Sequence, residues 1–145
     1  MYLLDTNIVS MLDPRRRDLA PALIDWLERN GAGLFLSVVT IAEIEAGILK
    51  LRRERKTARA AELATLVEAI LADFGDRVLP IDTETAHHIA RLGERSHRQP
   101  VGLADLLIAA TAVRHGLVLL TRNMRELGRL RIGARDPFVA LPPDV

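Results

Sequence analysis

Short apolar segments alternate with helical patterns along the whole chain. Four mostly apolar segments predict buried strands, at residues 2–4, 34–38, 78–81 and 117–120, and residues 138–141 could add a short edge strand. Between the segments, apolar residues recur at spacings of three and four. This periodicity predicts a short helix after Asp5 and longer helices at about 19–27, 40–51, 57–72, 82–95 and 102–115.

The alternation of strands and helices predicts the fold class. Strands separated by helices need crossover connections, which give a parallel sheet covered on both faces. We therefore expect a three-layer α/β/α domain with a central parallel sheet of four to five strands. The chain contains no repeat, low-complexity tract or linker, so one domain over residues 1–145 is predicted. Sheets of this kind carry their sites at the carboxyl ends of the strands.

The composition excludes several kinds of functional site and of binding. The chain has no cysteine, which excludes disulfides, thiolate metal sites and cysteine nucleophiles. Aromatic residues make up only 3%, too few for RNA binding on stacked aromatic platforms. The longest uncharged run, residues 30–42, is too short to span a bilayer, and no signal peptide pattern opens the sequence. We expect a cytoplasmic protein that does not bind membranes.

Basic residues are concentrated in two regions although the net charge is only +1. Residues 50–59 contain six lysines and arginines against Glu54, and residues 114–135 contain six arginines against Glu126. Either region can follow a phosphate backbone if the fold brings its charges to one face. A solvated helix face is the alternative, and we favour it for residues 50–59.

Two aspartates are the first candidates for catalysis. Asp5 directly follows the first strand, which places it at the carboxyl edge of the sheet, although a helix cap would explain it as well. Asp105 lies in an uncharged helical segment, residues 101–113. An ionised carboxylate there costs several kcal/mol unless it is paired or bound to a metal. The alternative for Asp105 is an acid in the first turn of that helix.

The other polar candidates have stronger structural explanations. Glu43 forms a capping box with Thr40, so composition alone gives it a structural role. Asn123 and Glu126 follow the fourth strand, and helical spacing favours pairing of Glu126 with Arg122 or Arg129. A parallel sheet could still gather Asp5, Glu43, Asp105 and either Asn123 or Glu126 at one edge. Clustered carboxylates of this kind suit Mg²⁺ or Mn²⁺.

In these segments the chain resembles the PIN-domain ribonucleases, especially the VapC toxins of bacterial toxin–antitoxin pairs and their FitB-like relatives. The resemblance rests on residues 2–7, 37–44, 102–112 and 120–123. Each segment is weak alone, but their order and spacing over the chain are specific.

The resemblance implies a catalytic site of Asp5, Glu43, Asp105 and Asn123, with Asp5 and Asp105 as direct metal ligands. Some relatives carry Asp where this chain has Asn123. An asparagine keeps an oxygen ligand but loses a charge, so we expect a second metal to bind more weakly. Supporting residues implied near the metal are Thr6, Thr121 and Glu126.

The implied reaction is Mg²⁺-dependent or Mn²⁺-dependent hydrolysis of RNA phosphodiester bonds by a metal-activated water. Arg122 is the candidate phosphate contact beside the site. The resemblance further implies a cognate VapB-type antitoxin that inhibits the enzyme, and a homodimer. It is also compatible with a higher toxin–antitoxin assembly.

Other classes fit the sequence less well. A haloacid-dehalogenase phosphotransferase needs a second aspartate two residues after the first, and Asn7 stands there. A response-regulator receiver needs paired acids after the first strand, but Asp5 has no acidic neighbour. The four histidines show no zinc-ligand spacing. The remaining alternative is a catalytically silent PIN-like module that binds nucleic acid or protein.

Overall fold

All strands of the computed structural model, which describes residues 1–145, run parallel in one five-stranded sheet. The order across the sheet is β3-β2-β1-β4-β5. The strands are β1 (Tyr2–Leu4), β2 (Leu34–Ser37), β3 (Val78–Leu79), β4 (Val118–Leu120) and β5 (Ala134–Arg135). In the register, Tyr2 lies between Leu34 and Val118. This is the three-layer α/β/α architecture that the alternation of patterns predicted.

Seven α-helices cover the two faces of the sheet. They are α1 (Thr6–Val9), α2 (Pro21–Arg29), α3 (Val38–Arg53), α4 (Thr57–Phe74), α5 (Thr83–Arg95), α6 (Leu103–Arg114) and α7 (Met124–Leu127). Most begin within a few residues of their predicted positions, and Asp82 caps α5 by accepting the Thr85 N–H at 2.7 Å. The four-residue α7 was not predicted. None of the helices is long and apolar enough to cross a bilayer.

Alternate residues of each strand point to opposite cores, because successive strand side chains face opposite sides of the sheet. Leu4, Leu36 and Leu120 pack with α1, α2 and α4, whereas Leu3 and Leu119 pack with α5, α6 and α7. Both cores are mostly aliphatic, as the scarcity of aromatic residues predicted. The strands are therefore buried on both faces, and only their ends are left for polar chemistry.

The predicted edge strand at residues 138–141 is wrong. Asp136 instead forms a turn, in which its carboxylate accepts a hydrogen bond from the Phe138 N–H at 2.9 Å. The edge strand is β5, where Ala134 lies opposite Leu119. Sequence analysis missed it because it has only two residues and one of them is charged.

The order of the strands fixes the place of the site. The connections from β1 and from β4 leave the sheet side by side, and they lead to opposite parts of the fold. In open α/β sheets this switch point leaves a crevice beyond the carboxyl ends of the strands. The Asp5 N–H donates to the Leu120 carbonyl at 3.0 Å, so the ladder ends at Asp5. Thr121 and the loop that follows it lie next to Asp5.

Candidate active site

Asp5 is a buried carboxylate held only by neutral donors. The side chain caps α1 and accepts the Thr6 N–H at 2.7 Å. Its Oδ2 accepts two further hydrogen bonds, each at 2.6 Å, from the Asn7 amide and the Thr121 hydroxyl. Asp5 is 3% exposed, and no ion pair of the molecule includes it. The capping role and a place in the candidate site therefore coexist.

Glu43 does not form the capping box that its sequence suggested. The helix starts earlier than expected, because the Ser37 side chain accepts the Val39 N–H at 3.2 Å and becomes the N-cap of α3. Thr40 is thereby moved into the first turn. Glu43 lies beyond that turn, is exposed, and accepts a hydrogen bond from the Thr6 hydroxyl. This contact ties α3 to α1 at the same edge as Asp5.

Asp105 lies in the first turn of α6, where Asn123 reaches it from the loop after β4. The Asn123 amide donates to Asp105 Oδ2 at 2.8 Å. Burial raises the pKa of Asp105 to about 6, and the negative charges of Asp5, Glu126 and Glu43 add to the rise against the Asn123 hydrogen bond. Four acids therefore share one electrostatic environment although they lie far apart in the sequence.

The expected pairing of Glu126 with Arg122 or Arg129 is wrong, since neither arginine forms an ion pair. The Arg122 guanidinium instead lies over the Phe138 ring, 4.5 Å from its centroid. Glu126, half-buried, is close enough to raise the pKa of Asp105. It contributes uncompensated negative charge to the site.

Asn7 is a residue of this site that was given no role from the sequence, where it served only in the resemblance over residues 2–7 and in excluding another enzyme class. Its amide nitrogen donates to Asp5 and lies 3.3 Å from the Thr121 hydroxyl, and its Oδ1 accepts the Arg122 N–H at 3.2 Å. It therefore joins the loops after β1 and β4. The signal that could have found it is the position, three residues after the end of a strand at the switch point.

The donor set suits a hard divalent cation. Carboxylate and hydroxyl oxygens meet at this edge with two side-chain amides, whose nitrogens face the carboxylates, and no histidine or sulfur takes part in these contacts. Burial and, after it, the like charges of neighbouring acids raise the pKa of Asp105, and a cation would neutralise those charges. As placed, no three acidic or histidine side chains are close enough to one another to hold one ion. The carboxylates of Asp5, Glu43 and Asp105 instead accept hydrogen bonds from neutral donors. A metal would replace some of these hydrogen bonds.

Comparison with known proteins gives the family. A model of the PIN domain matches residues 2–131. The chain is 33% identical to toxin FitB of Neisseria gonorrhoeae, over 95% of this chain and 99% of FitB. It is 32% identical to VapC ribonuclease Y4jK of Sinorhizobium fredii, over 85% of this chain and 87% of the relative.

Solved structures agree with these relatives. The crystal structure of FitAcB from Neisseria gonorrhoeae aligns with a TM-score of 0.76 and 31% identity, over 95% of this chain and 99% of that chain. A toxin–antitoxin complex from Klebsiella pneumoniae aligns over 100% of both chains, with a TM-score of 0.63 and 26% identity. The chain belongs to the PIN-domain family, among its VapC ribonucleases and FitB-like toxins.

Proposed function

We propose that the protein is a metal-dependent endoribonuclease, the toxin of a toxin–antitoxin pair. The observation that carries the proposal is the buried, unpaired Asp5 at the switch point of the sheet, with Asp105 nearby in the same field of negative charge. A buried carboxylate without a cationic partner is destabilising in a purely structural role. The relatives named VapC ribonuclease and toxin FitB support the same activity.

Each site residue has a role that follows from its contacts. Asp5 and Asp105 would hold Mg²⁺ or Mn²⁺, which would supply water activation and charge stabilisation for phosphodiester hydrolysis. Thr121 and Asn7 fix the Asp5 carboxylate by hydrogen bonds. Thr6 orients Glu43, whose exposed carboxylate would accept a proton from the attacking water.

The residues after β4 complete the site. Asn123 positions Asp105 through its amide nitrogen, while its oxygen would offer the metal a further ligand without charge. Glu126 adds negative charge at longer range. Arg122 is exposed, and its backbone N–H donates to Asn7, so its guanidinium would contact an RNA phosphate next to the scissile bond.

The biological setting is proposed from the family. A VapB-type antitoxin would inhibit the enzyme, as the similarity to a toxin–antitoxin complex suggests. A homodimer within a larger assembly, a cytoplasmic location and a single PIN domain over residues 1–145 are part of the same proposal.

The test is RNA cleavage by the purified chain freed of any antitoxin. We expect cleavage of single-stranded RNA with Mg²⁺ or Mn²⁺, none in EDTA, and none by Asp5→Asn. Asp25→Asn, which changes an exposed aspartate of α2 without an ion pair, is the matched control and should cleave normally. Cleavage that persists in EDTA would reject the metal mechanism. RNA binding without cleavage under either metal would favour the catalytically silent module.

A further inference from the structure

Three arginines line an open cleft of about 600 Å³ outside the acidic site. Arg95 is the last residue of α5, Arg129 lies in the 3₁₀ turn after α7, and Arg131 follows that turn. No other residue lines the cleft. Two segments that are distant in the sequence thus present their positive charges to one space.

The cleft contains no compensating acid. None of the three arginines takes part in an ion pair, whereas Arg15, Arg59 and other basic residues of the chain do. Three neighbouring guanidinium groups repel one another, and they cannot lose their charge by deprotonation. An anion in the cleft would remove this repulsion.

The positions of the arginines are fixed by the core. Leu92, one turn before Arg95, packs in the same buried cluster as Leu127 and Leu130, which flank Arg129. Arg131 has a left-handed backbone, with φ 52° and ψ 47°. A residue other than glycine adopts this conformation at a cost of about 1 kcal/mol, so packing holds the turn against a local preference. The backbone that carries the three arginines is therefore held in place by the core.

The absence of apolar residues from the lining points to a nucleic-acid backbone. Specific protein interfaces need apolar or aromatic anchors at their centre, whereas nucleic-acid interfaces are polar and strongly positive. Guanidinium groups also match phosphate geometry with paired hydrogen bonds. Arg129 is three residues beyond Glu126, so one continuous helical segment connects the cleft to the acidic site.

We propose that Arg95, Arg129 and Arg131 form a second phosphate-binding subsite, which holds the RNA strand at a distance from the scissile bond. The inference rests on the proposed ribonuclease function, because RNA is the anion supplied by that function. The subsite explains where the RNA strand leaves the acidic edge: along α7 and the turn after it, towards the end of α5.

Binding of a labelled single-stranded RNA tests the subsite. The Asp5→Asn background is used so that no RNA is cleaved. We expect Arg95→Gln with Arg129→Gln and Arg131→Gln to weaken binding by roughly tenfold or more at 0.1 M salt, and to lower the slope of log affinity against log salt by about 2. The matched control removes three exposed, unpaired arginines at the end of α3, by Arg52→Gln, Arg53→Gln and Arg55→Gln.

A second variant leaves the half-buried Arg129 unchanged and replaces only the two exposed arginines, so that a loss of binding is not caused by misfolding. Arg95→Gln with Arg131→Gln should lower the salt slope by about 1.4, and the two corresponding lysine substitutions should restore most of it. The subsite is rejected if the triple variant binds RNA with the salt slope of the control triple, or if the control triple weakens binding equally. Cleavage by the parent chain, measured separately, tests the ribonuclease function, so the two failures are distinguishable.

Discussion

Two aspartates of this protein are equally buried and held in opposite ways. Asp5 and Asp13 are each 3% exposed. Asp13 forms an ion pair with Arg59 of α4, whose second guanidinium nitrogen lies 3.3 Å from Asp13 Oδ1. Asp5 is held by an amide, a hydroxyl and a backbone N–H, all of them neutral. The fold thus neutralises one buried charge internally and leaves the other without a cationic partner. Under the proposed function, a metal ion would neutralise it.

The pKa of Asp13 shows the effect of internal pairing. Burial opposes its ionisation, but the hydrogen bonds from Arg59 and from the Arg15 N–H outweigh burial and hold the pKa of Asp13 below its usual value. At Asp105 burial and neighbouring acids act together and raise the pKa. Burial alone therefore does not mark a functional carboxylate. The informative feature is burial without an internal cation.

The largest expected effect is on the rate of RNA cleavage, which should depend on Asp5 and not on Asp13. Asp5→Asn and Asp105→Asn should each lower the rate of RNA cleavage by at least about 100-fold, because each removes a charge that would hold the metal. Asp13→Asn should leave the rate per folded molecule unchanged. The measurement is cleavage of a labelled RNA with Mg²⁺, corrected for the folded fraction by circular dichroism. Normal rates in either site variant would reject the assignment of the site.

The second-largest expected effect is on stability, and it concerns Asp13. Asp13→Ala should lower the free energy of unfolding by about 2 kcal/mol, since it removes the buried partner of Arg59 and leaves only the exposed Glu62 to pair with the guanidinium. Urea denaturation measures the change. The double variant of Asp13→Ala and Arg59→Ala should lose less than the sum of the single variants. Additive losses would show that the pair is not coupled.

A smaller effect is the pH dependence of stability without metal. The pKa of Asp105 is about 6 in the folded protein and 3.8 in its ordinary state, so the folded protein binds this proton more tightly. Stability should therefore fall as the pH rises from about 4 to about 6, by roughly 1–2 kcal/mol after allowance for solvent exposure. The Asp13 pair has the opposite sign, and its contribution is lost only as the pH falls through the lowered pKa of Asp13.

Thermal unfolding in EDTA at several pH values checks this prediction. Asp105→Asn should remove the fall between pH 4 and 6 and should be more stable than the parent chain at pH 7. Asp13→Asn should retain the fall. Equal pH profiles for the parent chain and Asp105→Asn would contradict the electrostatic description of the site.

The contrast between these aspartates also marks how far sequence analysis could go. The sequence shows that Asp5 follows a strand and that Asp105 lies in an uncharged helix, because the spacing of apolar residues along the chain identifies strands and helices without tertiary information. The partner of Asp13 was not, since Arg59 lies 46 residues away and only tertiary packing brings it close. The Thr40 capping box failed for a local reason, in that Ser37 offers an earlier cap.

The smallest effect concerns the residues after β4, where sequence analysis favoured Asn123 over Glu126 as the fourth ligand. The absence of an arginine partner for Glu126 changes the expected size of its contribution. Asn123→Asp should tighten Mn²⁺ binding by roughly tenfold, since it adds a charge beside Asp105. Glu126→Gln should weaken binding by only about two- to fivefold, because its charge acts at longer range.

Calorimetric titration with Mn²⁺ distinguishes the two residues, with Glu45→Gln, an exposed and unpaired acid of α3, as the control. A direct ligand should show its effect at high salt as well, because coordination is screened much less than attraction across solvent. The effect of Glu126→Gln should therefore shrink at 0.5 M salt while that of Asn123→Asp persists. A large, salt-independent loss of affinity in Glu126→Gln, with Asn123→Ala near the parent value, would make Glu126 the ligand. Asn123 would then serve only to position Asp105.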